Sequence, residues 1–142
     1  MKYHKKTIIS LNFHDAVLNQ NYEKIKKILK KSFKIRRETL ELIFKLKDEH
    51  LFDLIMSKVP NFYKIHHNIA IIHATENNNI NIIMKLLKYD VDVSSSGSLP
   101  LWIAISNKNI DVVNALINHK SLNKKISLTG IINHAINLDL LD

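Results

Sequence analysis

Apolar residues recur along this chain at helical spacing, in short pieces that Asn, Asp and His interrupt. Ile80, Ile82, Ile83, Leu86 and Leu87 form one piece; Ile110, Val112, Val113, Leu116 and Ile117 form another, and the two match position for position at an offset of 30 residues. A match at that period predicts stacked helical units rather than one compact layer pair. Anchoring each unit on a residue of its first helix gives Ala16, Lys45, Ala74, Ala104 and Ala135, spaced by 29, 29, 30 and 31 residues. Three positions before the anchor stand Phe13, Leu42, Ile71, Leu101 and Ile132, all apolar. Six after it stand Tyr22, Leu51, Ile80, Ile110 and Leu141, and nine after it Ile25, Leu54, Ile83 and Val113. Each unit thus predicts a first helix with an apolar stripe and a small residue where a neighbour's backbone approaches, then a second helix with its own stripe.

The connection between the two helices repeats as well. Asn19/Asn21, Asn77/Asn79 and Asn107/Asn109 fall three and five positions after the anchor, with Asp48/His50 in those slots of the second unit. Asn tolerates the left-handed conformation that ends one helix, and its side chain caps the next.

At this level of detail the chain resembles the ankyrin-repeat family. Gly97-Ser98-Leu99-Pro100-Leu101-Trp102-Ile103-Ala104 is similar to the family's Gly-x-Thr-Pro-Leu-His-x-Ala, and Asn109-Ile110-Asp111-Val112-Val113-Asn114-Ala115-Leu116-Ile117 to its second helix. Leu86-Leu87-Lys88-Tyr89-Asp90-Val91-Asp92-Val93 resembles the family's exit segment, and Phe13-His14-Asp15-Ala16 keeps its Leu-His-x-Ala spacing. The resemblance implies an all-α, ankyrin-like solenoid of about four and a half helix-turn-helix repeats in one domain, 1–142. The repeats fall at approximately 8–36, 37–65, 66–95 and 96–126, with a partial unit at 127–142 that ends as a cap or opens a further repeat. The spacing is shorter than the roughly 33 residues usual in the family, and short inter-repeat loops follow. Only Ser94-Ser95-Ser96-Gly97-Ser98 has the make-up of an ordinary finger, and Asn, Asp or Lys stand at most family Gly positions.

Composition narrows the chemistry. The 142 residues include two Gly, two Pro and no Cys. Turn-rich β folds and Gly-rich phosphate cradles are therefore disfavoured, and disulfides, thiolate metal sites and Cys nucleophiles are excluded. Abundant Ile, Lys and Asn match A/T-rich codons, as in giant DNA viruses or intracellular bacteria. The basic start, Met1 to Lys6, is followed by no apolar run long enough for a signal peptide before Asn12 and His14. A soluble protein of the cytoplasm, or of a host's cytoplasm, is expected.

The formal net charge of +8 is unevenly placed. Residues 1–47 carry 13 Lys+Arg against 4 Asp+Glu, and the remainder 8 against 9. Lys24, Lys26, Lys27, Lys30, Lys31, Lys34, Arg36 and Arg37 form the basic run. They read either as a solvated outer face or as an electrostatic surface for nucleic acid or an anionic membrane. Scarce Arg counts against base recognition.

No catalytic constellation is present, so a non-enzymatic protein with no small-molecule substrate is expected. His66, His67 and His73, and the pair His119 and His134, lack the spacing of a zinc set, so neither metal nor cofactor is predicted. The resemblance implies a protein partner, bound through the concave first-helix and loop face. Candidate contacts there are Leu18, Asn19, Lys47, Asp48, Glu76, Asn77, Ser96, Ser98, Trp102, Ser106 and Asn107. Trp102, the only Trp, reads as core or as an anchor for the partner.

Overall fold

The computed structural model describes residues 1–122 together with Gly130, Asn133 and Asn137. The predicted partial unit at 127–142, including Ile132, His134, Ala135 and Leu141, otherwise lies outside the described residues, as does the side chain of His67. Among the described residues there are eight α-helices and no strand: α1 (Lys2–Leu18), α2 (Tyr22–Ile28), α3 (Arg37–Lys45), α4 (Glu49–Lys58), α5 (Ile65–Glu76), α6 (Ile80–Leu86), α7 (Ser95–Ser106) and α8 (Ile110–Ile117). They form two compact units, Met1–Phe62 and Tyr63–Asp142.

Every helix pair is joined by the same corner. The first helix ends at Leu18, Lys45, Glu76 or Ser106. The second residue beyond that end, Gln20, Lys47, Asn78 or Lys108, has φ between 48° and 57°. The next residue, Asn21, Asp48, Asn79 or Asn109, is the N-cap of the second helix, and its side chain accepts from the amide three positions on. In three corners that same residue closes the first helix, its N–H donating back to the carbonyl of Ala16, Ala74 or Ala104 at 2.9–3.1 Å. One residue therefore satisfies a stranded carbonyl behind it and a stranded amide ahead of it, which is why so short a link suffices.

The corners correct the register of the second unit. Asp48 stands where Asn21, Asn79 and Asn109 stand, so the residue equivalent to Ala16, Ala74 and Ala104 is Ile43 and not Lys45. The corner spacings are consequently 27, 31 and 30 residues. In this register Phe13, Leu40, Ile71 and Leu101 share one position and are all fully buried. Phe52 takes the place given to Leu54, alongside Ile25 and Ile83. Two further expectations change: Ile80 and Ile110 are 42% and 61% exposed at the starts of their helices rather than in the core. The residues that these second helices bury lie two and three positions later, Ile82, Ile83 and Val112.

Unit 1 packs α1 to α4 around Phe13, Leu40, Ile43, Phe44, Phe52 and Phe62. Phe13 meets Phe33 at 4.9 Å, and the rings of Phe44, Phe52 and Phe62 cluster at 6.1–6.4 Å. Buried polar groups are paired: Ser10 donates to the carbonyl of Lys34, and His14 Nδ1 lies 2.9 Å from Thr39 Oγ1. In unit 2 the core runs through Ile71, Ala74, Ile82, Ile83, Leu86, Leu101, Ala104 and Leu116. Equivalent corners are tied to one another within each unit. Gln20 Nε2 donates to Asp48 Oδ2 at 3.0 Å in unit 1; in unit 2 Asn109 Nδ2 donates to Asn78 Oδ1, and Asn107 Nδ2 to the carbonyl of Thr75, both at 2.9 Å.

The segment expected to form a finger is a left-handed turn. Ser96, Gly97 and Ser98 have φ of 52°, 67° and 63°, so regular α7 starts at Leu99 and Pro100 sits in its first turn. Left-handed serines cost about 1–2 kcal/mol each, and bonds to the neighbouring repeat offset that cost. Val93 N–H donates to Ser121 Oγ, and Ser94 Oγ to the carbonyl of Ser121. His119 supports Ser121 in turn, with Nδ1 2.8 Å from Ser121 Oγ and Nε2 3.2 Å from the carbonyl of Leu87.

Ala104 is buried on α7 in unit 2. Ala104→Leu is expected to overpack the core there and to lower unfolding free energy by about 1–3 kcal/mol in denaturant titration. Lys45→Leu, on an exposed position, is expected to change it by no more than about 0.5 kcal/mol. A loss at Lys45 as large as that at Ala104 would return the register to the one read from the sequence.

Candidate partner-binding site

The corners place the ends of the first helices, and with them the candidate contacts. Leu18 and Asn19, Glu76 and Asn77, and Ser106 and Asn107 are the last helical residue and the cap of α1, α5 and α7. The corrected register assigns Lys45 and Leu46 to those slots in α3. Sequence spacing missed both residues, and the signal that identifies them is the Asp48 cap.

Lys47 is the left-handed corner residue, with φ 53°. Asp48 is a structural hub. Its carboxylate accepts from the amide of Leu51, from Gln20 Nε2 and from the Tyr22 hydroxyl. Tyr22 is held in place by His50, whose ring lies edge-on to it at 4.9 Å. Burial pushes the Asp48 pKa up, but bonds from Tyr22, the Leu51 amide, Gln20 and the His50 amide outweigh it and hold the group below the usual carboxylate value. The Tyr22 phenol is raised, first by its hydrogen bond to the same carboxylate.

In unit 2 the candidates converge more closely. Asn107 bonds to Thr75, so the end of α7 lies against the end of α5, which carries Glu76 and Asn77. Glu76 is engaged by His73, Nδ1 to Oε2 at 2.8 Å, and Asn77 Nδ2 caps the carbonyl of His73. One turn back along α7 Trp102 is half-buried, and two turns back Leu99 is 37% exposed. Together with Ile103, Ser106, Gly130, Asn133 and Asn137 they line an open recess of about 640 Å³. Ser96 is exposed on the left-handed turn, whereas Ser98 is 2% exposed and leaves the candidate surface.

The basic run is exposed throughout and stays together on α2, the following connection and the start of α3. Some of it is neutralised locally: Lys26 pairs with Glu23 at 3.0 Å, Arg36 with Glu38, and Arg37 with Glu41 at 3.6 Å. Lys26 also holds the Glu23 carboxyl below its ordinary value. Lys24, Lys27, Lys30, Lys31 and Lys34 have no carboxylate within ion-pair distance among the described residues. No group of three or more metal-ligating side chains converges among the described residues. No described helix is long and apolar enough to cross a membrane.

Helix pairs joined by recurring capped corners define an all-α helical-repeat protein. The model for ankyrin repeats (3 copies) matches residues 13–127, and the chain belongs to that family. No curated protein and no solved structure matches it. Ankyrin repeats generally mediate protein–protein interaction and are typically non-enzymatic.

The lowered Asp48 pKa gives a signed prediction. Its contribution to stability is present above the unfolded carboxylate value of about 3.9 and is lost as pH falls through the lower folded value. Asp48→Ala is therefore expected to cost about 1–2 kcal/mol at pH 7. The gap from wild type should close progressively in acid denaturation series below about pH 3.9. A gap of constant size would show that Asp48 acts through packing alone.

Proposed function

We propose that the protein is a non-enzymatic interaction module whose second unit binds a partner protein through the first-helix and corner face. The recess beside Trp102 carries this reading, because it sets a large aromatic, Leu99 and Ile103 next to a polar rim. Apolar anchors in a recess concentrate binding energy, and a polar rim selects among partners. Ser106, Asn133 and Asn137 supply that rim; Glu76, Asn77 and Asn107 add polar groups at the ends of α5 and α7, where bonds to His73 and Thr75 reduce the ordering cost of contact. The partner would present an apolar side chain to Trp102 and hydrogen-bonding groups to the α5 and α7 ends. Lys45 and Leu46, with Leu18 and Asn19, would offer the corresponding surface in unit 1. A source in a virus or an intracellular bacterium would place that partner in a host cell.

A second reading rests on the five unpaired lysines of residues 24–34, which would attract an anionic polymer or an anionic membrane. Lysine is a point charge without the planar fork that reads base edges, so such binding would be insensitive to sequence.

Capture of partners from lysate with wild type, Trp102→Ala and a Lys26/Lys27/Lys30→Glu triple variant separates the two. The first reading expects Trp102→Ala to cost at least about tenfold in affinity, about 1.4 kcal/mol, with little salt dependence. Affinity that falls steeply with log salt and is lost in the triple variant, but not in Trp102→Ala, would replace it by the electrostatic one.

A further inference from the structure

Helix α1 is apolar on two sides. Phe13, Ala16 and Val17 point into unit 1, and Ser10 and His14 on the same side are bonded to Lys34 and Thr39. The other side is exposed and carries Met1 at the N-cap, then His4, Ile8, Leu11, Asp15 and Leu18. These are spaced alternately by three and four residues, the a and d positions of a heptad seam, and at 3.6 residues per turn they fall in one stripe about 100° wide. Four exposed large apolar residues, Met1, Ile8, Leu11 and Leu18, share this one helix face, an apolar stripe of the kind that marks an interaction surface.

The order of the stripe points to its occupant. Reversed about the midpoint between Ile9 and Ser10, it maps onto itself with complementary partners: Met1 onto Leu18, Ile8 onto Leu11, and His4 onto Asp15. We propose that a second copy of this chain docks here, the two α1 helices packing antiparallel about a two-fold axis that crosses the stripe between Ile8 and Leu11. In an antiparallel helix pair each a residue meets a d residue of the other copy. The axis then generates two Ile8–Leu11 layers at the centre, two His4–Asp15 layers outside them and two Met1–Leu18 layers at the ends. A self-complementary patch is what a two-fold interface requires.

Charge placement fits. The flanking Lys5 comes opposite Asn12 of the second copy, while Lys2 and Lys6 lie on the side of α1 away from the stripe. No lysine therefore faces a lysine across the seam. Asp15, in the middle of the stripe, would face phosphates if the same surface lay on an anionic membrane, which disfavours a lipid occupant. The imidazole–carboxylate layers weaken the seam relative to an all-apolar one but fix its register and direction. The dimer does not rest on the partner-binding reading, although Leu18 belongs to both surfaces.

Sedimentation equilibrium of the full chain, from micromolar to millimolar, tests it. The mean mass is expected to rise from 16.5 kDa toward twice that value, and Leu11→Glu to weaken association at least about tenfold with an unchanged helical circular dichroism spectrum. His4→Glu and Asp15→Lys are each expected to weaken it, and the double variant, which exchanges the two charges, to restore it. Trp102→Ala should leave self-association intact. A wild type that stays at 16.5 kDa throughout, association indifferent to Leu11→Glu, or a double variant no better than the singles would overturn the proposal. A monomer that binds phosphatidylserine vesicles through Leu11 would assign the stripe to lipid instead.

Discussion

A chain that must reverse between two helices within two or three residues has little conformational choice, and here it makes the same choice each time. One residue adopts the left-handed conformation, and the next is the N-cap of the second helix and, at Asn21, Asn79 and Asn109, also donates its N–H back to the first. The left-handed residue is never glycine: Gln20, Lys47, Asn78 and Lys108 hold the position. Each therefore carries strain that glycine would avoid. The cap bonds offset it, which makes Asn and Asp at the capping position the residues on which the helix pairs depend.

From that corner the functional surface follows. The end of each first helix is fixed in place by the corner after it, and side-chain bonds between equivalent corners hold neighbouring ends side by side. Gln20 to Asp48 does this in unit 1, Asn109 to Asn78 and Asn107 to Thr75 in unit 2. Amide side chains thus come to line the ends of the first helices as a consequence of folding, and Trp102 and Leu99 stand one and two turns back along α7. The same geometry explains why the cations of α2 belong to another face: Ile25 and Ile28 are buried, so Lys26, Lys27 and Lys30 must point outward.

Most of this was legible in the sequence because the repeat is long enough for several weak signals to coincide. The all-α ankyrin class, three of the four corners and three of the four described anchors follow from Asn spacing and the 30-residue match. The second unit misled for a physical reason: Ile43 replaces the small anchor, and helical stripes are wide enough that a shift of two residues still finds apolar matches at Leu42, Leu51 and Leu54. The capping requirement is stricter than the stripe, and Asp48 alone would have set the register. Ile80 and Ile110 looked like core because periodicity does not reveal which edge of a stripe faces solvent. The left-handed turn at Ser96, Gly97 and Ser98 had no legible signal beyond its one glycine, since its support comes from bonds of Val93 and Ser94 to Ser121, 28 and 27 positions along the chain. Pairing of Asp48 with Gln20 and Tyr22 is likewise tertiary, joining residues more than 25 positions apart.

Stability of two glycine variants tests the corner most directly, because the two registers of the second unit place the left-handed residue at different positions. With φ at +53°, Lys47→Gly relieves strain and is expected to raise unfolding free energy by about 0.5–1 kcal/mol. Glu49→Gly, at the first residue of α4, is expected to lower it by up to about 1 kcal/mol. Stabilisation at Glu49 with loss at Lys47 would contradict both the register and the claim that the corner conformation organises the fold.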